Sequence, residues 1–340
     1  MPGSSPLHFA FAWLLPLSVG AAAWHSPAAA WGLMLGWQVA LAAIERVPAL
    51  RSSPPPVELP GAAYRWILRL HVPLQAALLA LGVALASREG QGLTAALLLG
   101  LAVGGVSGAQ GISFAHELGH SRSRVDRFLG WALMASVNYS HFMVEHYRGH
   151  HRRAATAADP ASARLGESLW RFLPRTLAGS WRSAWQLEAE QVRQRGRGWW
   201  RSPLAAATLL QAAWLLALWA LCGPTALLFW LVQSAYAVFL LETVNYIEHY
   251  GLVRRSVDGR PEPFGMAHAW NADHRLTNCV TANLQRHSDH HMHAWKPYPA
   301  LAPLPGPQLP TGYAGCLFLA SVPGLWFRTM HPRLAALARA

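Results

Sequence analysis

What constrains this chain most is a series of long apolar stretches almost free of charge, near residues 7–23, 29–45, 68–87, 93–114, 204–222 and 225–244. Each approaches the roughly 20 residues that a helix needs to cross the hydrocarbon core of a bilayer. In lipid a spanning segment must satisfy its own backbone N–H and C=O groups, which makes such stretches helical. Composition agrees, since 53% of the 340 residues are hydrophobic and only 13% are charged, about half the charged share of an ordinary soluble domain. The expectation is an all-α integral membrane protein with about six transmembrane helices, built as a single domain over 1–340.

The basic residues set the expected orientation. Pairing the spans into hairpins gives outer turns at 24–27, 88–92 and 222–225, of which only the middle one carries a basic residue, Arg88. Lys and Arg near span ends stay on the cytoplasmic side. Both termini and the polar regions 115–203 and 245–310 are therefore expected in the cytoplasm. No Lys or Arg precedes the first apolar stretch, so it lacks the positive start of a secretory signal. The net charge of +12 reads as arginines against anionic lipid headgroups rather than as a nucleic-acid surface. Cys222, Cys279 and Cys316 are too scattered for a disulfide framework or a fused iron–sulfur module.

Three segments remain outside this pattern. Ser52 to Pro60 reads as an extended Pro-rich connector. The apolar piece from Phe128 to Phe142 is too short to span and reads as a re-entrant or interfacial helix. The stretch from Leu317 to Phe327, interrupted by Pro323 and Gly324, is expected to pack on the domain or lie at the membrane interface.

The chemistry is carried by histidines. His116 and His120 sit at the cytoplasmic end of the fourth span, four residues apart, which puts both imidazoles on one helix face. A second group is His146, His150 and His151, in which the first two repeat that spacing and the third points about 100° away. A third is His287, His290 and His291, and a lone His249 closes the sixth span. One first-row metal takes four to six ligands, so nine imidazoles imply two metals with positions left open.

Imidazole alone suits zinc, copper, iron or nickel. The carboxylates beside the histidines, Glu117, Glu145, Glu248 and Asp289, would offset the charge of two cations and orient the rings, which favours redox iron. His268 and His274, close to the third group, are candidates for the same supporting role. His8, His25, His71 and His331 stand alone and read as structural. His116-Glu117-Leu118-Gly119-His120 also fits a zinc-protease pattern, with Asp273 or Asp289 as the further ligand, but that reading leaves most of the clustered histidines without a task.

These motifs, His-x-x-x-His, His-x-x-x-His-His and His-x-x-His-His in that order, resemble the histidine-rich membrane desaturase and hydroxylase superfamily. The stretches Asn245-Tyr246-Ile247-Glu248-His249-Tyr250-Gly251-Leu252 and Leu284-Gln285-Arg286-His287-Ser288-Asp289-His290-His291 are similar to signatures of the alkane 1-monooxygenases within it, as are Asp159-Pro160-Ala161-Ser162-Ala163-Arg164 and Leu173-Pro174-Arg175. The resemblance runs from about Leu93 to Trp295. It implies a six-span fold with a non-haem diiron site held by the nine histidines, in a bacterial inner membrane. It also implies hydroxylation of a terminal methyl of an alkane to a primary alcohol with O2, using electrons from rubredoxin and its NAD(P)H-dependent reductase. Arg148, Arg152, Arg153 and Arg286 flank the motifs and are candidates for docking that acidic carrier.

The sequence departs from the family pattern at Ser121, where Lys is usual, and at Met292-His293-Ala294-Trp295, where a small residue and an early Pro are more common. The substrate therefore stays open between an alkane and a methylarene of the xylene or cymene type. A fatty acyl desaturase and a non-catalytic metal-binding membrane protein remain as further alternatives.

Overall fold

The computed structural model describes residues 5–196 and 198–339. Helices α1 (Pro6–His25) and α2 (Pro27–Ile44) form the first hairpin. Its turn is set by Ser26, whose hydroxyl caps α2 by accepting from the Ala29 N–H, with Pro27 in the first helical position. Helices α3 (Ala62–Ala86) and α4 (Leu93–His120) follow. After them come α5 (Arg124–Ser136), a segmented helix α6 over 142–153, α7 (Leu169–Gln194) and the long α8 (Pro203–His249).

Helix α8 is two spans. Gly223 takes φ +84° and ψ 177° within it, and Pro224 follows. Trp214 and Trp230, which a continuous helix would hold about 24 Å apart at 1.5 Å per residue, meet with ring centroids 5.3 Å apart. The chain therefore reverses at Gly223. Five described helices are long and apolar enough to cross a membrane, and this fold-back makes six spans of them.

The spans outrun the apolar stretches at their polar ends. Helix α3 begins at Ala62, before Arg65 and Arg69, because both arginines reach the buried Asp126 of α5, Arg69 Nε at 2.7 Å. Helix α4 runs on to His120 through a π-helical turn at Ser107–Gly111. Its glycines Gly100, Gly104 and Gly108 form one small-residue stripe against the second arm of α8. A Cβ added at Gly104 would lie 2.6 Å from the Gln233 carbonyl oxygen, and one at Gly108 2.9 Å from the Ala237 Cα. Close backbone approach of this kind drives helix pairing where lipid removes the hydrophobic advantage.

The segment expected to be interfacial over 128–142 is divided. Helix α5 ends at Ser136, Asn138 takes a left-handed φ of 54°, and α6 starts at Phe142. Beyond α8 lie a two-residue β-hairpin (β1 Ser256–Val257, β2 Arg260–Pro261), α9 (Arg275–Val280), α10 (His287–Met292), α11 (Tyr313–Ser321) and α12 (Pro323–Leu337). The final helices pack on the domain, with Trp326 and Met330 buried beside Tyr246 and Tyr250. Glu45, at the end of α2, fastens α11 by accepting from the Ala314 and Gly315 N–H groups and from the Thr277 hydroxyl.

Candidate metal centre

All nine histidines of the sequence motifs converge, from the ends of α4 and α8 and from α6 and α10. They fall into two sets. His116, His120, His146, His151 and His290 bring ligand atoms within 4.8 Å of one another, and His150, His249, His287 and His291 do the same. The sets adjoin, with the His151 and His291 rings stacked at 4.4 Å.

The partition of α6 differs from the expected helical pairing of His146 with His150. Residues His146–His150 form a π-helical turn, in which the backbone closes five residues on rather than four. His146 therefore shares a set with His151, their Nε2 atoms 3.0 Å apart, while His150 turns to the other set. A local widening of this kind recurs at functional sites because it re-aims side chains without ending the helix.

Two observations show that each set could hold a metal ion. Nitrogen pairs stand 3.0 Å apart (His146 and His151), 3.3 Å (His151 and His290) and 3.2 Å (His249 and His287). Ligands about 2.1 Å from one ion lie about 3.0 Å apart at right angles and about 3.4 Å apart in a tetrahedron. In addition, the Nε2 atoms of His116, His120, His150 and His291 are buried with no hydrogen-bond partner among the described residues. Each orphan would cost about 1–3 kcal/mol, and a cation at the focus of the rings removes that cost.

The second set is braced from outside. His150 Nδ1–H donates to Asp159 Oδ2 at 2.9 Å, and Asp159 also accepts from the Ser162 hydroxyl. Burial by itself raises the Asp159 pKa, but His150 and Ser162 together hold it below the usual range. His249 Nδ1 lies 3.3 Å from the His268 carbonyl oxygen. His287 Nδ1 lies 3.1 Å from Glu248 Oε1, close but not aligned as a hydrogen bond, and Glu248 accepts from the Tyr313 hydroxyl. Partners of this type fix the tautomer and raise the basicity of a ligating ring. In the first set packing does the orienting: Phe142 stacks on His146 at 4.6 Å, and the Tyr147 ring lies 4.5 Å from His120.

Comparison with known proteins gives the same picture. Residues 92–320 match the fatty acid desaturase family model. The alkane 1-monooxygenase of Ectopseudomonas oleovorans is 36% identical over 330 residues, covering 92% of this chain and 81% of its own. The chain belongs to the fatty acid desaturase family. Within that family it is similar to a second alkane 1-monooxygenase, from Pseudomonas putida, at 38% identity over 80% of this chain and 68% of the relative. A xylene/toluene monooxygenase hydroxylase component, also from Pseudomonas putida, is more distant, at 29% identity over 67% of this chain and 61% of the relative.

Against the desaturase-family core, several expected supporting residues point elsewhere. Glu117 accepts from the Tyr298 N–H and, with His120, lines a cavity of about 560 Å³. Glu145 pairs with Arg153 at 2.7 Å. Asp289 binds His293 and Lys296 and accepts from the Ala302 N–H, which ties down the loop after α10. Their motif neighbours point inward, but adjacent helical residues differ by about 100°. His268 serves through its backbone carbonyl, its ring being turned to Glu262. His274 precedes α9, and its backbone carbonyl accepts from the Gln285 side-chain amide. Among the described residues, Glu248 is the expected carboxylate that contacts one of the nine rings, that of His287.

The arginines divide similarly. Arg286 is 1% exposed and spans Asp273 and the Pro54 and Leu301 carbonyls, so it cannot meet a carrier. It instead anchors the Pro-rich connector to α10. Arg148 and Arg153 are engaged with Glu188 and with Glu145 and Ser183. Arg152 is exposed. Asp159 is the brace that sequence reading missed: nine residues from His150 and outside the helix, it had no spacing to announce it.

Proposed function

We propose that this membrane monooxygenase holds two irons on the nine histidines, one per set, and hydroxylates a terminal methyl of an alkane to a primary alcohol. Electrons come from rubredoxin and its reductase, with the site on the cytoplasmic side of a bacterial inner membrane and residues 1–340 acting as one domain. The observation that carries this reading is the contact between the two histidine sets and an apolar passage. A small cavity lined by His116, His146, His287 and Asn245 shares Gly108, Ser113, Val244 and Leu284 with a second, more apolar one reaching Met34, Trp37 and Leu41 of α2.

The family's iron, bound at such a site, supplies reduction of O2 and attack on an unactivated C–H bond. The chain supplies everything else. The π-turn and the Asp159, Glu248 and His268 braces hold the rings in register before any ion arrives. The shared glycine and serine at Gly108 and Ser113 keep the passage narrow beside the rings, so that an extended chain presents its end. A substrate dissolved in the bilayer reaches that passage between α2 and the second arm of α8 without crossing water. Arg152 provides the exposed positive charge nearest the ligand segment for an acidic carrier.

A product screen tests the reading. Cells co-expressing the protein, rubredoxin and the reductase are offered linear alkanes, xylenes, cymene and fatty acyl substrates. Primary alcohols from the alkanes support it; benzylic alcohols alone place the protein with methylarene enzymes, and an alkene from an acyl chain makes it a desaturase.

A further inference from the structure

Helix α7 has three faces where an ordinary surface helix has two. At 100° per residue, Leu169, Phe172, Thr176, Ser180 and Ser183 fall in a stripe that is buried against the protein. Arg171, Arg182, Gln186 and Arg193 fall in a second, exposed and polar. Trp170, Leu177 and Trp181 fall in a third, apolar yet 53%, 38% and 43% exposed, continued by the partly exposed Trp185. That third stripe lies about 100° around the axis from the polar one.

Both ends of the apolar stripe run into spanning segments. Trp170 stacks on Phe239 of the second arm of α8 with ring centroids 6.1 Å apart. Trp185 packs on Trp181 at 5.7 Å and on Trp199 at 6.0 Å. Trp199 and the 84% exposed Trp200 stand just before Pro203, where the first arm of α8 begins. The stripe is thus continuous with surface that the spans expose to lipid. Tryptophans concentrate at the boundary of headgroups and acyl chains, and arginines beside them meet anionic headgroups.

We infer that α7 is an in-plane membrane helix, its Trp170–Leu177–Trp181–Trp185 stripe set in the bilayer boundary and its arginine stripe facing water. The buried stripe then ties the bilayer surface to the metal-bearing α6. From that stripe Ser183 accepts from Arg153 at 2.6 Å, and beyond Trp185 the buried Glu188 pairs with Arg148 at 2.9 Å. The segment carrying His146, His150 and His151 is accordingly held at a fixed depth relative to the lipid.

Site-directed quenching tests this. In full-length protein carrying Cys222→Ser, with Cys279 and Cys316 buried, Leu177→Cys and Gln186→Cys are each labelled with bimane. Each is then placed in vesicles of phosphatidylcholine and phosphatidylglycerol with brominated acyl chains. An interfacial helix buries its apolar face about 5–10 Å into the boundary, so quenching at position 177 should exceed that at 186 by roughly threefold or more. Iodide in the water should show the reverse order. Equal lipid quenching at both positions, whether weak or strong, overturns the inference: weak means that water or another polypeptide covers the stripe, and strong means that the helix is embedded all round.

Discussion

His146 Nε2 and His151 Nε2 stand 3.0 Å apart across one π-helical turn, whereas His150, between them in sequence, belongs to the other set. On the proposed reading of one metal per set, that turn decides which ion each ring would meet. His146→Ala, His151→Ala and the double variant should each retain the metal of the second set, so iron per chain falls from about two toward about one in all three. His146→Ala with His150→Ala should lose both. Elemental analysis of purified protein reads the difference, and equal loss in both double variants would contradict the partition.

Asp159 braces His150 from a loop outside the helix. Removing the outer partner of a metal-bound imidazole typically costs 10–100-fold in metal affinity or activity, and Asp159→Ala should fall in that range while the protein still inserts in the membrane. Glu117→Gln, which changes a carboxylate bonded to the Tyr298 N–H and not to a ligand ring, should leave iron content near that of the wild type. Iron titration of the apoprotein compares the two.

That contrast shows which parts of the site sequence spacing reaches. Spacing drew attention to three histidine groups, and the lone His249 gained weight only from their company; all nine rings converge, but His146 and His150, one turn apart in sequence, fall into different sets. Spacing could not separate Glu248, which touches His287, from Glu117, Glu145 and Asp289, which also flank ligands but bond the Tyr298 N–H, Arg153 and the loop after α10 instead. Nor could it show the π-turns, whose extra backbone residue leaves no compositional mark. The apolar stretches revealed six spans, including the reversal at Gly223, but not the extra turns of α3 and α4, which polar partners such as Asp126 hold in place. The third face of α7 was hidden because its tryptophans alternate with arginines and depress the segment's hydropathy.

Gly104 lets α4 and α8 approach until a Cβ would sit 2.6 Å from the Gln233 carbonyl. That oxygen is backbone and cannot swing aside. Gly104→Leu should destabilise by about 1–3 kcal/mol or more through overpacking, seen as a lower unfolding temperature in detergent and loss of iron, since α4 carries His116 and His120. Gly36→Leu, where nothing lies within 4 Å of a Cβ, is the control and should change neither.

Arg286 and Arg152 separate anchoring from docking. Arg286→Met removes the donor to Asp273 and to the Pro54 and Leu301 carbonyls and should lower stability, seen as a lower unfolding temperature in detergent. Arg152→Glu should leave stability unchanged but raise KM for the reduced carrier, most at low ionic strength where charge steering is strongest. Stopped-flow oxidation of rubredoxin at two salt concentrations measures the second effect.

The central claim is that the two histidine sets serve insertion of one oxygen atom into a terminal C–H bond. Its most direct test is isotopically labelled dioxygen supplied to purified protein with rubredoxin, reductase, NADH and octane, followed by mass spectrometry of the product. The account predicts 1-octanol carrying one labelled oxygen and none of it when His290→Ala replaces the wild type. Unlabelled alcohol, or full turnover by His290→Ala, would contradict it.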